Sequence, residues 1–484
     1  MLPFSERPPL TQNSVLTKNS YLKYLTCPNE FWLAFHSPAP TEDDIPLLQK
    51  HLRQQGFEIL QLAKKMSVFN GGANGIVEFG RIFSTGNITT STDITVTDPA
   101  TGELYIYEVK SSSKVKPEHY DDLAFQKMTA EMLGHSVAKT YLITVNTAYT
   151  RNGEIDPDTL LQIHDVTAEV AAKLDETIEK TRAAIEYLTT QPVPELKLHC
   201  SQKLDCGFIR HHFKDIPVYN VGHISRLKDE KCAELIDLGI LDIRGVPDDF
   251  KLSDKQRKQI ETARAAEPAI DREAIRRELE GLTYPLHFLD YESFSYAVPH
   301  FGGVRPYQQM VFQFSLHTIE KAGAEPTHTF HLAKNDGAFP PRETAEHLHA
   351  RMSSKIGTTI VWHAQFEKDR NREFAEMFPD LAEFFSELNQ SVYDLETIFT
   401  KDLYRHPGFF GKTSIKNIQP VLFPTASYHN LDIPDGTTAA IRWFHMATKI
   451  TGPAESEKIC QDLRTYCHLD TLAMVEIFKT LQHL

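Results

Sequence analysis

The chain has 484 residues, 41% hydrophobic and 24% charged, which is ordinary for a globular protein and enough for two or three domains. Its formal net charge of -14 argues against a general nucleic-acid coat protein, although a nucleic-acid enzyme needs only a local basic groove. The sequence has no apolar run long enough for a membrane span and no signal-peptide pattern, and its six cysteines are too few for a disulfide scaffold. We therefore expect a cytoplasmic protein with reduced thiols.

The N-terminal region carries acids on a predicted β-hairpin. Helical patterns over 17–36 and 43–67 are followed by strands over 91–98 and 104–113 and by a helix over 117–133. Glu108 and Lys110 share a strand face, and Asp93 lies on the partner strand. Asp93 and Glu108 can hold a divalent metal, and Lys110 can orient water or stabilise a cleaved phosphate. A surface hairpin with a cross-strand salt bridge is the commoner explanation of so short a pattern.

These residues, with Gln126 on the next helix, resemble the motif of the PD-(D/E)xK nucleases, in particular the RecB-like branch. The resemblance covers roughly 15–150 and implies a restriction-endonuclease-like α/β core in a domain over 1–195. It also implies that Asp93 and Glu108 bind metal and that Lys110 and Gln126 complete the site. The branch has a further acid or histidine on an early helix, for which Glu58 is the candidate.

A cysteine and histidine segment follows. Cys200 and Cys206 lie close to His211 and His212, and Cys27 precedes the nuclease motif. RecB-like proteins often hold an iron–sulfur cluster with one cysteine before the nuclease core and three after it, so the resemblance implies ligation by Cys27, Cys200, Cys206 and His212, or His211 in its place. An iron–sulfur cluster, a structural zinc and a site that has lost its metal remain three alternatives. Residues 196–280 are interpreted as this segment and a helical connector.

The C-terminal region opens with a predicted buried strand over 285–295 that carries Asp290 and Glu292. Residues two apart in a strand face the same side, so both carboxylates point into one site. Like charges this close repel unless a cation lies between them, and Mg²⁺ prefers oxygen ligands. A strand that ends in a solvated polar turn is the alternative for an isolated Asp-x-Glu.

Further acids follow in the chain. Glu367 comes after a predicted strand over 358–363, and Tyr466 and Asp470 lie one turn apart on a predicted C-terminal helix. This set resembles the DnaQ-like exonucleases of the RNase H-like fold whose last motif is Tyr-x-x-x-Asp. The resemblance implies that Asp290, Glu292, Glu367 and Asp470 hold two divalent ions and that Tyr466 orients the attacking water. The usual second motif ends in Asp where this chain has Glu367, and Asp369 is the alternative acid.

The whole chain resembles uncharacterised bacterial proteins that join a RecB-like region to a DnaQ-like one over 281–484. We therefore expect an α/β protein with a restriction-endonuclease-like core, a helical middle and a C-terminal RNase H-like mixed sheet with flanking helices. The expected function is hydrolysis of nucleic acid, DNA favoured, with Mg²⁺ or Mn²⁺, in DNA repair or defence. A catalytically decayed nucleic-acid-binding or assembly protein is the competing hypothesis. Lys412 and Lys416, in the insertion between Asp394 and Tyr466, are candidate contacts to a nucleic-acid backbone, and a solvated loop is an equally good interpretation.

Overall fold

The computed structural model describes residues 15–36, 44–71, 75–189, 198, 204, 209, 213–333, 340–352, 354–424 and 431–484. The protein is mixed α/β with several mixed sheets. The chain forms two compact units, residues 1–197 with 296–308 and residues 198–295 with 309–484. Within the described ranges, no helix has both the length and the apolar character that crossing a membrane requires.

The first unit contains two sheets and six helices among its described residues. The strands are β1 Leu16–Thr17, β2 Ile76–Phe79, β3 Ile82–Thr85, β4 Ile88–Ser91, β5 Ile94–Thr97, β6 Leu104–Val109, β7 Val137–Val145 and β8 Leu161–Asp165. The helices are α1 Lys18–Thr26, α2 Pro28–His36, α3 Leu47–Ala63, α4 Pro117–Met132, α5 Pro157–Leu160 and α6 Thr167–Thr189.

The larger sheet of this unit has the order β2-β5-β6-β7-β8, and the smaller has the order β1-β4-β3. The β5–β6 hairpin turns where the Asp98 side chain accepts a hydrogen bond from the amide of Ala100 at 2.8 Å. Strands β6 and β7 run parallel, and α4 makes the crossover between them. Leu123 of α4 and Leu142 of β7 are fully buried in the core of the unit, which fixes α4 on the sheet.

The second unit contains a five-stranded mixed sheet, a two-stranded sheet and ten α-helices among its described residues. The strands are β9 Ala269–Ile270, β10 Leu286–Phe294, β11 Met310–Ile319, β12 Thr327–Leu332, β13 Thr358–Val361, β14 Val392–Asp394 and β15 Tyr404–Arg405. The helices are α7 Asp229–Asp237, α8 Asp254–Ala265, α9 Arg272–Glu280, α10 Pro340–Met352, α11 Gln365–Met377, α12 Ala382–Ser391, α13 Thr397–Thr400, α14 Ile415–Leu422, α15 Gly436–Ala447 and α16 Pro453–Gln482.

The five-stranded sheet has the order β12-β11-β10-β13-β14. The pairs β12–β11 and β11–β10 are antiparallel, whereas β10–β13 and β13–β14 are parallel. The side chains of the central strand β10 point alternately to the two faces of the sheet. On one face Leu286 and Phe288 pack in the core that contains Phe478 of α16. On the other face Leu289 and Tyr291 pack in the core that includes α11 and α12. Asp290 and Glu292 continue the first series, so they lie on the face that α16 covers.

Candidate active site

The acids of the second unit meet where β10 ends against α16. Oxygen atoms of Asp290 and Glu292 and the Cys467 sulfur all lie within 4.8 Å of one another. Cys467 is fully buried and donates to Asp290 Oδ2 at 3.4 Å. The Cys467 thiol is therefore part of the acidic pocket.

Glu367 lies in the first turn of α11, immediately after β13, and is only 2% exposed. The charge of Asp290 acts on Glu367, and that of Glu367 acts on Glu292, so Glu367 belongs to the same pocket. Glu367 Oε2 is buried and has no hydrogen-bond partner among the described residues. Asp369 is two residues further along α11, so its side chain lies on about the opposite side of the helix from Glu367. Its carboxylate contacts Gln365 and Arg372. Glu367 rather than Asp369 therefore faces the site.

The turn that presents Glu367 is held by Asp394 at the end of β14. Asp394 Oδ1 accepts hydrogen bonds from the amides of His363 at 3.1 Å and Glu396 at 3.0 Å, and Oδ2 accepts from Ala364 at 3.1 Å. His363 has the left-handed backbone angle φ of 68°, which a non-glycine residue adopts at some strain. Asp394 thus stabilises the junction from which α11 begins, as a side-chain cap does.

Helix α16 supplies the remaining side chains. Asp470 and Tyr466 are 7% and 3% exposed, and the charge of Asp470 acts on Asp290 and Glu292. Lys416 Nζ of α14 donates to the Tyr466 hydroxyl at 3.0 Å, and that hydroxyl hydrogen-bonds to Asp470. Lys416 was predicted only as a backbone contact, and its position beside the pocket is not evident from the sequence.

The electrostatics of this pocket are those of a cation site. Burial raises the pKa values of Asp290 and Glu292 well above the usual range, and the neighbouring carboxylates raise them further. Lys416 opposes this effect on both residues. Burial followed by the charge of Asp290 likewise raises the pKa of Glu367. A divalent ion among these oxygens would remove the repulsion that raises the pKa values. The four carboxylates therefore fit divalent ions with oxygen ligands.

The first unit has a second cluster around Glu108. Gln126 Nε2 donates to Glu108 Oε2 at 2.7 Å and to Asp122 Oδ1 at 2.8 Å. Lys110 Nζ lies 2.8 Å from Glu108 Oε1 and 2.5 Å from Asp122 Oδ2. Lys18 of α1 makes the same pair of contacts, at 2.8 Å and 3.1 Å. The structure thus brings three of the predicted residues together and adds Asp122 and Lys18.

Asp93 completes this cluster from the residue before β5. Its Oδ2 accepts a hydrogen bond from the Val109 amide at 2.7 Å. Burial, followed by the charge of Glu108, raises the pKa of Asp93 to about 7. Burial would also raise the pKa of Glu108, but Lys18 and Lys110 lower it far below its usual range. The cluster thus differs from the pocket of the second unit, because two lysine ammonium groups already lie against its carboxylates.

Other predicted residues lie elsewhere or outside the described ranges. Glu58 contacts His300 Nε2 at 3.5 Å and the Tyr296 hydroxyl, neither of which belongs to the cluster around Glu108. Cys27 is half-buried with a free thiol that accepts from the Glu30 amide at 3.5 Å. The other predicted ligands, Cys200, Cys206, His211 and His212, lie outside the described residues.

A large cavity of the second unit is rich in cationic residues. Its volume is about 1390 Å³. Aromatic rings of Tyr219 and Phe409 form part of its wall, together with the acids Glu396 and Asp402. The arginines and lysines that line it are Arg226, Lys228, Lys231, Lys251, Lys255, Arg405 and Lys412. In a chain of net charge -14 such a local excess of cations suits an anionic ligand.

Comparisons with known proteins identify a domain but no activity. Residues 287–414 match a family model described as a domain of unknown function, DUF2779. The matched range includes Asp290, Glu292 and Glu367 and ends before Tyr466 and Asp470. No curated protein is similar to the chain in sequence. One solved structure, titled "Crystal structure of SSO0001", aligns with a TM-score of 0.22 and 12% identity over 42% of this chain and 87% of that one.

Proposed function

We propose that the protein is a divalent-metal-dependent nuclease whose principal reaction takes place in the second unit. The observation that carries this proposal is the meeting of four buried or half-buried carboxylates, from Asp290, Glu292, Glu367 and Asp470. Lys416 acts on Asp290 and Glu292, and Arg370 acts on Glu367, which leaves the carboxylates in excess. Such a concentration of negative charge is unfavourable without cations and well suited to hold Mg²⁺ or Mn²⁺.

The four carboxylates would hold the ions, and bound ions would stabilise the negative oxygens that develop as a phosphodiester bond is hydrolysed. The protein's own part is to orient water and substrate. Lys416 donates to the Tyr466 hydroxyl, which leaves the hydroxyl proton directed at Asp470 or at a water bound there. Burial and the neighbouring carboxylates raise the pKa of Tyr466, so the hydroxyl keeps its proton and acts as a donor.

The arrangement of strands supports a DnaQ-like, RNase H-like assignment for this unit. Three antiparallel strands are extended on one side by two parallel strands, and the acids lie on the central strand, after the next parallel strand and on the C-terminal helix. Together with the Tyr-x-x-x-Asp pattern of Tyr466 and Asp470, this supports removal of nucleotides from a 3′ end. The basic cavity supports a polyanionic substrate, of which DNA is the favoured form.

For the first unit we propose a RecB-like PD-(D/E)xK domain. One observation favours a site there that has lost its catalytic activity or is regulated. Lys18 and Lys110 both pair with Glu108 and Asp122, so an incoming metal ion must compete with two ammonium groups. The second candidate function is therefore nucleic-acid binding or assembly by this unit without hydrolysis. The cysteine and histidine set remains a proposed iron–sulfur or zinc site.

Release of nucleotides from end-labelled single- and double-stranded DNA and RNA tests the proposal. We expect hydrolysis with Mg²⁺ or Mn²⁺, none with a chelator, and a loss of at least about 100-fold in Glu367→Gln, typical of a lost charge-stabilising group. Asp369→Asn is the matched control, because that acid lies on the other side of the same helix and should leave the rate unchanged. Absence of hydrolysis with either ion, or equal loss in both variants, would contradict the proposal.

Parallel measurements separate the two units. Asp290→Asn should abolish release of nucleotides, whereas Glu108→Gln should leave release from the 3′ end intact. The opposite pattern would move the principal reaction to the first unit.

A further inference from the structure

A group of three histidines lies on the sheet of the second unit, apart from the acids of the pocket. His317 is on β11, His328 on the neighbouring strand β12 and His468 on α16. One ring nitrogen from each lies within 4.8 Å of the other two. His317 is buried, and the other two are half-buried, so the group opens toward the surface. No role in the proposed nuclease reaction requires these side chains.

The hydrogen bonds behind the rings allow an assignment of the ring protons that leaves nitrogens free to bind a metal ion. Thr471 Oγ1 lies 2.8 Å from His317 Nδ1 and 2.7 Å from Ser315 Oγ, and it also contacts the carbonyl oxygens of residues 467 and 468. Ser315 Oγ lies 2.9 Å from His328 Nε2. We assign one direction of donation: each of these ring N–H groups donates to a hydroxyl, and the Thr471 hydroxyl donates to a helix carbonyl. His328 Nδ1 and His317 Nε2 then carry lone pairs.

This arrangement is what a metal-binding histidine requires. A histidine ligand normally donates its second ring N–H to a fixed acceptor, which sets its tautomer and orientation. Ser315 and Thr471 are both fully buried and serve as these acceptors. His328 Nδ1 and His468 Nδ1 are 3.2 Å apart, close to the separation of about 3.3 Å expected for two nitrogens at zinc–nitrogen distances of about 2.05 Å in a tetrahedron.

We propose that His317, His328 and His468 bind one divalent transition-metal ion, with zinc the ion that best suits the ligands. Imidazole nitrogens without a carboxylate favour Zn²⁺ and its neighbours over Mg²⁺, so this site and the acidic pocket select different ions. Three protein ligands leave a fourth position for water. Burial lowers the pKa of His317 to about 3 and of His328 to about 4, which keeps the rings in their neutral, ligating form.

The ion would join α16 to β11 and β12. His468 and Thr471 are three residues apart and share one side of α16, whereas Cys467 and Asp470 face the acidic pocket. An ion bound by His468 would therefore hold in place the helix that presents Asp470. This role for the ion rests on the proposed function, but the binding site itself does not.

The experiment uses the full chain, stripped with a chelator and then saturated with Mg²⁺ to fill the acidic pocket. Titration with Co²⁺ should give, for one equivalent, the visible absorption of a tetrahedral, nitrogen-ligated ion. Co²⁺ bound at the proposed cysteine and histidine site would be distinguished by the near-ultraviolet sulfur-to-metal band that cysteine ligation produces. Zn²⁺ should displace the Co²⁺. His328→Ala should weaken Co²⁺ binding by at least about 100-fold, and Thr471→Val by about 10- to 100-fold.

A double substitution, His331→Ala with His347→Ala, is the matched control. These two histidines lie on β12 and α10 of the same unit with their rings stacked at 4.3 Å. With Glu343 they form a second group of possible ligand atoms within 4.8 Å of one another, so the double substitution shows to which group the Co²⁺ band belongs. The proposal predicts that the band is unchanged. X-ray absorption of the zinc-loaded wild-type chain requires no variant and should show imidazole scattering. Absence of the visible band in the wild type, its persistence in folded His328→Ala, or a zinc spectrum without imidazole would each overturn the proposal.

Discussion

Gly436 offers a substitution whose effects on stability and on metal binding should have opposite signs. It is the first residue of α15, after the Asp435 cap, and it lies outside the left-handed backbone region. A Cβ atom placed there would lie 3.3 Å from Glu292 Oε2 and 4.0 Å from the Tyr466 hydroxyl. The backbone conformation at position 436 is one that alanine can adopt, but its methyl group would press on Glu292, a proposed metal ligand.

The magnitudes follow from this geometry. Glu292 must shift by a few tenths of an ångström, and overpacking of this kind costs about 1–3 kcal/mol. Because 1.4 kcal/mol is a factor of about 10, Gly436→Ala should weaken Mg²⁺ affinity and kcat/KM by roughly 5- to 150-fold. In the metal-free chain no ion holds Glu292, so its side chain can move away from the added methyl group. The substitution should then raise the free energy of unfolding by about 0.5 kcal/mol, because alanine restricts the unfolded chain.

Calorimetric titration with Mn²⁺, nuclease assays and denaturant unfolding of the metal-free chain measure these effects. Gly281→Ala is the control, since this glycine ends α9 with φ of -73° and its added Cβ meets only the Glu278 carbonyl oxygen, at 3.7 Å. Unchanged metal affinity in a folded Gly436→Ala variant would refute the assignment of Glu292 as a ligand. Equal losses in both glycine variants would refute it as well.

Three further predictions concern charge and position. Because the pKa values of Asp290 and Glu292 are raised in the metal-free folded chain, the contribution of these two carboxyls to stability is fully present below pH of about 4 and is lost as pH rises. Thermal unfolding should show the double variant Asp290→Asn with Glu292→Gln gaining stability relative to the wild type as pH rises above about 4. Glu108→Ala should lower the free energy of unfolding by about 1–3 kcal/mol in denaturant titrations, because it leaves two half-buried lysines to share Asp122 and leaves the Gln126 amide with one acceptor fewer. An unchanged value would show that this cluster is not a stabilising network. Asp394→Ala should lower the free energy of unfolding by about 1–2 kcal/mol and lower kcat, because Glu367 is then misplaced. Asp394→Asn should have an intermediate effect. Full activity in the alanine variant would show that Asp394 does not position Glu367.

The sequence could indicate the pairs of residues that periodicity places on one face. Asp290 and Glu292 on β10 and Tyr466 and Asp470 on α16 are examples, because strand and helix periods fix which side chains are neighbours. Asp122 could have been found in the same way, since it lies four residues before Gln126 on α4 and both contact Glu108.

Other members of the two sites depend on contacts that no local pattern encodes. Lys18 reaches Glu108 from a helix 90 residues earlier in the chain. Cys467 reads as a helix-interior residue because its period matches the core, yet the end of β10 brings Asp290 against its sulfur. Gly436 contributes by having no side chain, which a sequence pattern does not distinguish from an ordinary helix start. These residues emerge only when separate elements pack together.

The central claim is that divalent ions bind among the four carboxylates of the second unit. Calorimetric titration of Mn²⁺ into the metal-free wild-type chain, beside Asp290→Asn and Glu108→Gln, tests it most directly. The account predicts that Glu108→Gln retains the wild-type binding at this pocket and that Asp290→Asn loses it. Binding that survives unchanged in Asp290→Asn, or a wild-type chain that takes up no Mn²⁺, would contradict it.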